Sequence, residues 1–425
     1  VTRIAFCNKY YFLNGGTEKY LNDLMQYLPN LGHEVLPFSV NYAGSWPSRH
    51  QSFFLSPPAG PSQAHLRDIK LTPKNAIRFI DRSIYSVEAR ARLGRLLEAF
   101  GGVDIAYLLN IYNYMSPSII HTFKSRNIPV VMQLGDYNLL CPSYSLLRDG
   151  RPCTLCVTGN YHHGLRYRCV KKNLAASLLR TTAMYIHKWL KIYDAVDGFV
   201  VPCRFMRDKL IEGGFPAKRI HLVPYPVEFP QTITGSNGKK DYMIYFGRIS
   251  YEKGLDTLLK AYQKKDLPAD LVLVGRSYDG EKERLMPMIK PDFVNRIRFA
   301  GFQTGKKLSR LIGEALFSVV PSRWYDNAPI SIYESFGQAT PVVAADIGGI
   351  PEQVVDQVNG RLFAPDDKDE LAEALSWMLK DRKRLAGMGQ KGRNYVTSEL
   401  TIAKHSEQLL ALFENLIFKK AKRQT

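Results

Sequence analysis

A chain of 425 residues is longer than one hydrophobic core usually supports, so its length predicts two domains of roughly 200 residues each. With 45% apolar and 23% charged residues it reads as soluble and globular, which excludes a disordered or collagen-like chain. Its +19 formal charge is uneven: residues 1–225 hold 28 Lys/Arg against 14 Asp/Glu, and residues 226–425 hold 30 against 25. A basic first half suits an anionic partner such as nucleic acid, the inner membrane face or an acidic glycan carrier; a merely soluble surface is the plain alternative. No run of 18 or more apolar residues offers a membrane span, and Val1 enters almost directly into strand-like RIAFC, so a cytoplasmic location is expected.

RIAFC (3–7), the loop NKYYFLNGGT and a helix with Tyr20, Leu21, Leu24, Leu28 and Leu31 at helical spacing open the chain, and HEVLPFSV follows as a strand. VDIAYLLN and IPVVMQLGD are short apolar runs suited to strands buried on both faces of a parallel sheet. AVDGFVVPC, helical RFMRDKLIEGGF and IHLVPYPV repeat the alternation, giving a doubly wound α/β domain over 1–228. FPQTITGSNGKKD (229–241) has no apolar period and reads as a linker. YMIYFG, ADLVLVG, IRFAGF, ALFSVVPS and TPVVAAD are then five strands of a second doubly wound domain over 242–395, and amphipathic helices, the last over 396–425, close the chain and are expected to return to the first domain. Two such domains face each other across a cleft lined by the carboxyl ends of both sheets, so chemistry is expected in loops that follow strands.

Three loops stand out. NGGTEKY (14–20) puts Gly15 and Gly16 between a strand and a helix, where backbone can approach a phosphate. It is not G-x-G-x-x-G, and a tight turn with Thr17 as helix cap explains it as well. FGRISYEKGLDTLL places Arg248 and Lys253 in the same topological position of the second domain, between Gly247 and Gly254, where two cations can clamp a diphosphate. In WYDNAPISIYESFGQATPVV, Pro329 suits the first position of a helix starting near Ala328. Asp326 then sits in the loop, Glu334 in the second helical turn, and the N–H groups of Ile330, Ser331 and Ile332 point at the cleft.

The GG loop, GRISYEKG and PSRWYDNAPISIYESFGQATPVVAADIGGIPE together resemble the retaining glycosyltransferases of family 4, which have the GT-B fold of two Rossmann-like domains. The resemblance spans nearly the whole chain. The family's E-x7-E motif is D-x7-E here, Asp326 through Glu334. The resemblance implies that Asp326 bonds hydroxyls of the donor sugar, Glu334 holds the ribose, Arg248 and Lys253 neutralise the departing diphosphate, and Gly15 and Gly16 let the acceptor-side loop close over it. It also implies no catalytic metal, since fixed cations and helix N–H groups stabilise that charge, and anomeric retention by front-face attack without the nucleophilic carboxylate of a retaining glycoside hydrolase. Where relatives commonly read HDY, this chain has Gly135-Asp136-Tyr137; Asp136 is the candidate substitute for the missing histidine, or a cap for the next segment.

Four of six cysteines, Cys141, Cys153, Cys156 and Cys169, fall in one basic insertion, 141–172. For a cytoplasmic enzyme this C-x11-C-x2-C-x12-C spacing favours a structural zinc site over disulfides, with free thiols as the alternative and His162 or His163 as substitute ligands. The helix NLAASLLRTTAMYIHKWLKIY that follows reads first as core against the first domain and second as a membrane-interface helix. The leading expectation is a glycosyltransferase taking a nucleoside-diphosphate sugar and a glycan or polyprenyl-diphosphate-linked acceptor for surface polysaccharide synthesis, with peripheral contact to an anionic membrane. A nucleotide-sugar epimerase or phosphorylase of the same architecture is the alternative. A basic zinc-containing nucleic-acid-binding protein is the reading of a different class, but no helix-turn-helix or aromatic RNA-binding pattern is present, so no nucleic acid is expected.

Overall fold

The computed structural model describes residues 1–60, 72–228, 233 and 238–422. In chain order the strands are β1 (Arg3–Cys7), β2 (Glu34–Phe38), β3 (Ile105–Leu108), β4 (Val130–Gln133), a short hairpin β5 (Leu147–Arg148) and β6 (Arg151–Pro152), β7 (Gly198–Val201), β8 (Ile220–Leu222), β9 (Tyr242–Phe246), β10 (Asp270–Val274), β11 (Ile297–Gly301), β12 (Ser318–Val320), β13 (Val342–Ala345) and β14 (Gly360–Phe363). The α-helices are α1 (Gly16–Asn30), α2 (Pro73–Ile84), α3 (Val87–Phe100), α4 (Ile119–Ser125), α5 (His162–Arg166), α6 (Leu174–Trp189), α7 (Arg204–Glu212), α8 (Leu255–Tyr262), α9 (Glu281–Leu285), α10 (Gly305–Glu314), α11 (Ile330–Gly337), α12 (Lys368–Leu379), α13 (Arg382–Glu399) and α14 (Ile402–Ala421).

Two parallel six-stranded sheets result, ordered β2-β1-β3-β4-β7-β8 and β11-β10-β9-β12-β13-β14. The alternation of apolar strand and amphipathic helix forces this: strands such as Val130–Gln133 and Val342–Ala345 are buried along their whole length, as helices on both faces require. Each sheet reverses direction of growth once, beside β1 in the first and between β9 and β12 in the second. Ligands of open α/β sheets bind at such switch points. The GG loop follows β1, GRISYEKG follows β9 and the Asp326 loop follows β12, so all three singled-out loops converge on the two switch points.

Several expectations shift. The second sheet gains a sixth strand, β14, whose GRLF has an arginine and only two apolar residues and so shows no apolar run. The 395/396 boundary falls inside α13, which continues to Glu399 before α14. Of the linker read at 229–241, residues 229–232 and 234–237 lie outside the described residues. The expected return of the C-terminus holds: α14 packs on α1, where the Tyr20 hydroxyl bonds both the Tyr107 hydroxyl and His405 Nε2 at 2.8 Å, and Phe413 lies edge-on to Tyr107. Burial lowers the His405 pKa to about 4, which keeps the ring neutral in this apolar seam.

The helix α6 departs furthest from its first reading. Its buried face is Ser177, Arg180, Thr181, Ala183, Met184 and His187, while Leu174, Leu178, Tyr185 and Trp189 are exposed. Of its large apolar residues, Met184 is therefore core, packed with Cys156 and Tyr161, while Leu174, Leu178, Tyr185 and Trp189 are not.

Candidate active site

The loop after β9 is held open by backbone geometry. Gly254 has φ of 68°, and a Cβ there would run into the Pro321 carbonyl, so only glycine lets this turn nest against the loop after β12. Lys253 is thereby delivered to Asp326: the two side chains form an ion pair, only 15% and 6% exposed, and Ser322 Oγ donates a second hydrogen bond to Asp326 Oδ2 at 3.0 Å. The Lys253 ammonium also lies 5.5 Å from the Trp324 ring. Arg248, half-exposed, reaches Glu252 at 3.3 Å. Burial works to lower the Arg248 pKa, but Glu252, Tyr144 and Asp326 prevail and raise it, so the guanidinium stays charged.

The helix behind these groups begins one residue later than expected. Pro329 is the N-cap, with ψ of 115°, and not the first helical residue; α11 starts at Ile330. The Ile332 N–H is committed to the Pro329 carbonyl, which takes it out of the three amides expected to face the cleft and leaves those of Ile330 and Ser331. Glu334 is the fifth residue of α11 and lies in its second turn, as expected. Burial raises its carboxyl pKa to about 7, with Lys19 pulling the other way.

Across the cleft, Gly15 is the N-cap of α1 and Thr17 lies within the first turn, so the threonine-cap reading is replaced. A Cβ at Gly16 would come within 3.1 Å of Ile330, so the GG loop sits directly against the start of α11. Asp136 accepts bonds from the Asn138 backbone N–H (2.9 Å) and side-chain amide, which is the capping role. Burial raises its pKa, with those Asn138 bonds, Lys9 and Arg180 lowering it. The position left by the absent histidine is filled from elsewhere: a Cβ at Gly135 would meet the Tyr225 hydroxyl at 3.0 Å, Gln133 Nε2 donates to that hydroxyl at 2.5 Å, and Asn327 Nδ2 donates to the Gly135 carbonyl at 2.5 Å.

The last contact joins the two domains, and others accompany it. Glu352 accepts from the backbone N–H groups of Arg204 and Phe205 at 2.8 and 2.7 Å, capping α7 from the opposite domain, and Phe205 packs on Tyr325. Gly349 N–H donates to the Asp326 carbonyl at 2.8 Å, fixing the GGIPE turn beneath the acid. Arg323, 4% exposed, bonds Asp256 at 2.6 Å and Asp366 Oδ1 at 3.0 Å and stacks on Tyr251, anchoring the same loop from the other side. The buried Trp324 Nε1–H has no partner among the described residues. Sequence reasoning gave no role to Trp324, Asn327, Glu352, Arg323 or Tyr225; only the position of the first four inside the PSRWYDNAP…GGIPE stretch signalled them.

The insertion brings Cys141, Cys153, Cys156, Cys169 and His163 around one cavity with room for about 10 Å³, roughly one water-sized sphere. All six cysteines are free thiols, and among the described residues no group of three or more His, Cys, Asp or Glu side chains is disposed to hold a metal ion. The zinc centre is thus not assembled as expected. Burial first, and the neighbouring sulfurs next, raise Cys156 to about 12 and Cys169 to about 11.

Comparison with known proteins agrees with this geometry. The model of the glycosyl transferase 4-like domain matches residues 15–226, and that of the glycosyl transferases group 1 matches residues 228–395. An alpha-maltose-1-phosphate synthase of Mycolicibacterium smegmatis is 27% identical over 256 residues, covering 52% of this chain and 64% of that one. The sulfoquinovosyl transferase SQD2 of Arabidopsis thaliana is 30% identical over 167 residues, 37% of this chain and 31% of its own. The match thus spans less than two thirds of either curated relative. Among solved structures, a sucrose-phosphate synthase from Thermosynechococcus elongatus superposes with a TM-score of 0.69 at 16% identity over 99% of this chain and all of that one. Anabaena HepE in complex with UDP-glucose does so at 0.64 and 15%, over 98% of this chain and all of its own. The two sheets, the three loops at their switch points and the two family models side by side lead to one conclusion: this chain is a member of the GT-B glycosyltransferases, with a 4-like domain followed by a group 1 domain.

Proposed function

We propose that the chain is a metal-independent retaining glycosyltransferase that moves a sugar from a nucleoside-diphosphate donor to a hydroxyl of a glycan or lipid-linked glycan in surface polysaccharide synthesis. The observation that carries this reading is the Lys253–Asp326 pair, with Arg248 and the start of α11 gathered around it at the second switch point. Arg248, Lys253 and the amides of Ile330 and Ser331 would receive the diphosphate, Glu334 the ribose, and Asp326 the sugar hydroxyls once Lys253 turns to the phosphate. The bond from the anomeric carbon to the diphosphate oxygen breaks, the acceptor oxygen bonds that carbon on the same face, and the acceptor proton passes to the departing phosphate. Fixed cations that meet the developing charge without reorganising account for the rate. Asp136, already bonded to Asn138, acts in this reading on the acceptor side through Lys9, whose charge it helps hold.

A uridine nucleotide is the first donor to test, because HepE holds UDP-glucose. A thermal-shift panel of UDP, GDP, ADP and their sugars decides it: a ligand at ~100 times its Kd stabilises by about 2.7 kcal/mol. A shift that Glu334→Ala and Lys253→Met both lose supports the site; no shift, or one unchanged in Glu334→Ala, removes it. Transfer with retention, read from the anomeric configuration of the product, separates the transferase from an epimerase, which needs no acceptor. The shared cavity of the four thiols supports a narrower second reading, in which zinc draws Cys141, Cys153, Cys156 and Cys169 inward as thiolates. One zinc per purified chain by elemental analysis supports it; four titratable thiols and no zinc end it.

A further inference from the structure

The helix α6 is built inside out. Its buried side carries polar Ser177, Arg180, Thr181 and His187 beside Ala183 and Met184: Arg180 Nη2 donates to the Asn138 carbonyl and side chain at 2.8 and 3.0 Å, and His187 Nε2 donates to the Ile84 carbonyl at 2.8 Å. These bonds fix the helix's rotation. What it turns outward is Leu174 (53% exposed), Leu178 (51%), Tyr185 (39%) and Trp189 (80%). At 100° per residue these four fall within about 60° of one another, a single stripe four turns long. Beside it packs α2, which exposes Ile77 and Ile80, one turn apart. Exposed Trp and Leu in such a row are uncommon on a surface that meets only water.

Charge says what the stripe meets. From Arg151 to Tyr193 the chain carries eight Lys/Arg and no Asp/Glu. Lys171, Lys172, Lys188 and Lys191 stand at the two ends of α6 and are exposed; Lys172 pairs with Asp149, the acid just outside that run. An apolar stripe ended by cations, with a Trp at one end and a Tyr one turn before it, matches a bilayer surface, where rings sit at headgroup depth and cations meet lipid phosphates. A nucleic acid would use the cations and leave the leucines uncovered.

We propose that the outer face of α6, with Ile77 and Ile80 of α2, docks the first domain flat onto an anionic lipid surface. Among the described residues no helix is long and apolar enough to cross a membrane, so the contact is peripheral. This goes beyond the proposed function and needs no assumption about donor or acceptor.

The test is co-sedimentation of the full chain with vesicles of phosphatidylcholine containing about 30% phosphatidylglycerol, against pure phosphatidylcholine. Binding to the first at least about 10-fold tighter, weakened by salt, and reduced at least about 10-fold in Leu178→Ser/Trp189→Ser supports the proposal. Both positions are exposed, so an unchanged melting temperature shows that the variant folds. Wild-type protein left in the supernatant overturns the proposal, as does a double variant that binds equally well. A dimer in light scattering that the double variant disperses, without vesicle binding, assigns the face to a second copy instead.

Discussion

Glu334→Gln separates stability from function in a way that tests the site directly. Burial raises the Glu334 carboxyl from an ordinary 4.5 to about 7. Between those values the folded chain keeps a proton that the unfolded chain has lost, so stability falls as pH rises through the window, and the full cost is present above about pH 7. At 1.36 kcal/mol per unit, that cost is about 3 kcal/mol. Glutamine does not titrate. Urea denaturation of both proteins should therefore give similar midpoints near pH 5, with the Glu334→Gln variant more stable by up to ~3 kcal/mol near pH 8 and its pH profile flatter. In the proposed site the same change removes charge-assisted acceptance of a ribose hydroxyl, worth about 1.5–3 kcal/mol, so nucleotide affinity should drop roughly 10- to 100-fold. A variant that is more stable and binds worse is what a carboxylate buried for a ligand produces. If Glu334→Gln keeps the wild-type pH slope, or binds nucleotide as tightly, the reasoning fails.

Lys253→Met leaves Asp326 buried without its cation and should destabilise the second domain by about 3 kcal/mol, a loss that Lys253→Met/Asp326→Asn largely recovers in a melting series. Both variants should lose at least about 100-fold in kcat, measured by nucleotide release in the presence of acceptor. Gly254→Ala must displace the Pro321 carbonyl and is expected to lower expression and melting temperature together, whereas Gly387→Ala, with open space around it, should not. Asn327→Ala removes the bond to the Gly135 carbonyl; about 1 kcal/mol of closure should disappear, seen as a larger radius of gyration by small-angle scattering and a raised donor KM.

The sheets were legible because their signal is local. An apolar run such as VVMQ or VVAA, bounded by turn residues, has few other fates, and the single restart of the pattern after the linker forecast two domains. The three loops were legible for a related reason: a glycine pair or a proline beside charge at a strand end is unusual. What the sequence hid was relational. Nothing in NLAASLLRTTAMYIHKW says which side is inward, because Arg180 and His187 find their partners on residues 42 and 103 positions away. The aspect of Pro329 depended on a ψ angle that the proline ring does not fix. The residues around Gly135 come from β4, from the stretch after β8 and from the opposite domain, so no spacing within GDY foretold Tyr225 or Asn327. Four cysteines at ligand-like intervals did meet at one cavity, as the spacing foretold.

The Glu352 contact has a consequence for motion. A helix start needs partners for its first amides, and α7 borrows its own from the facing domain. When the cleft opens to admit a donor, Arg204 and Phe205 amides pass from a carboxylate to water together, and when it shuts they are covered again. Hydrogen exchange at those two amides therefore counts openings of the cleft, with no probe attached and no ligand required. A donor that holds the domains together should slow both amides by one common factor, and leave the amides at the start of α12, capped within their own domain by Asp367, unchanged.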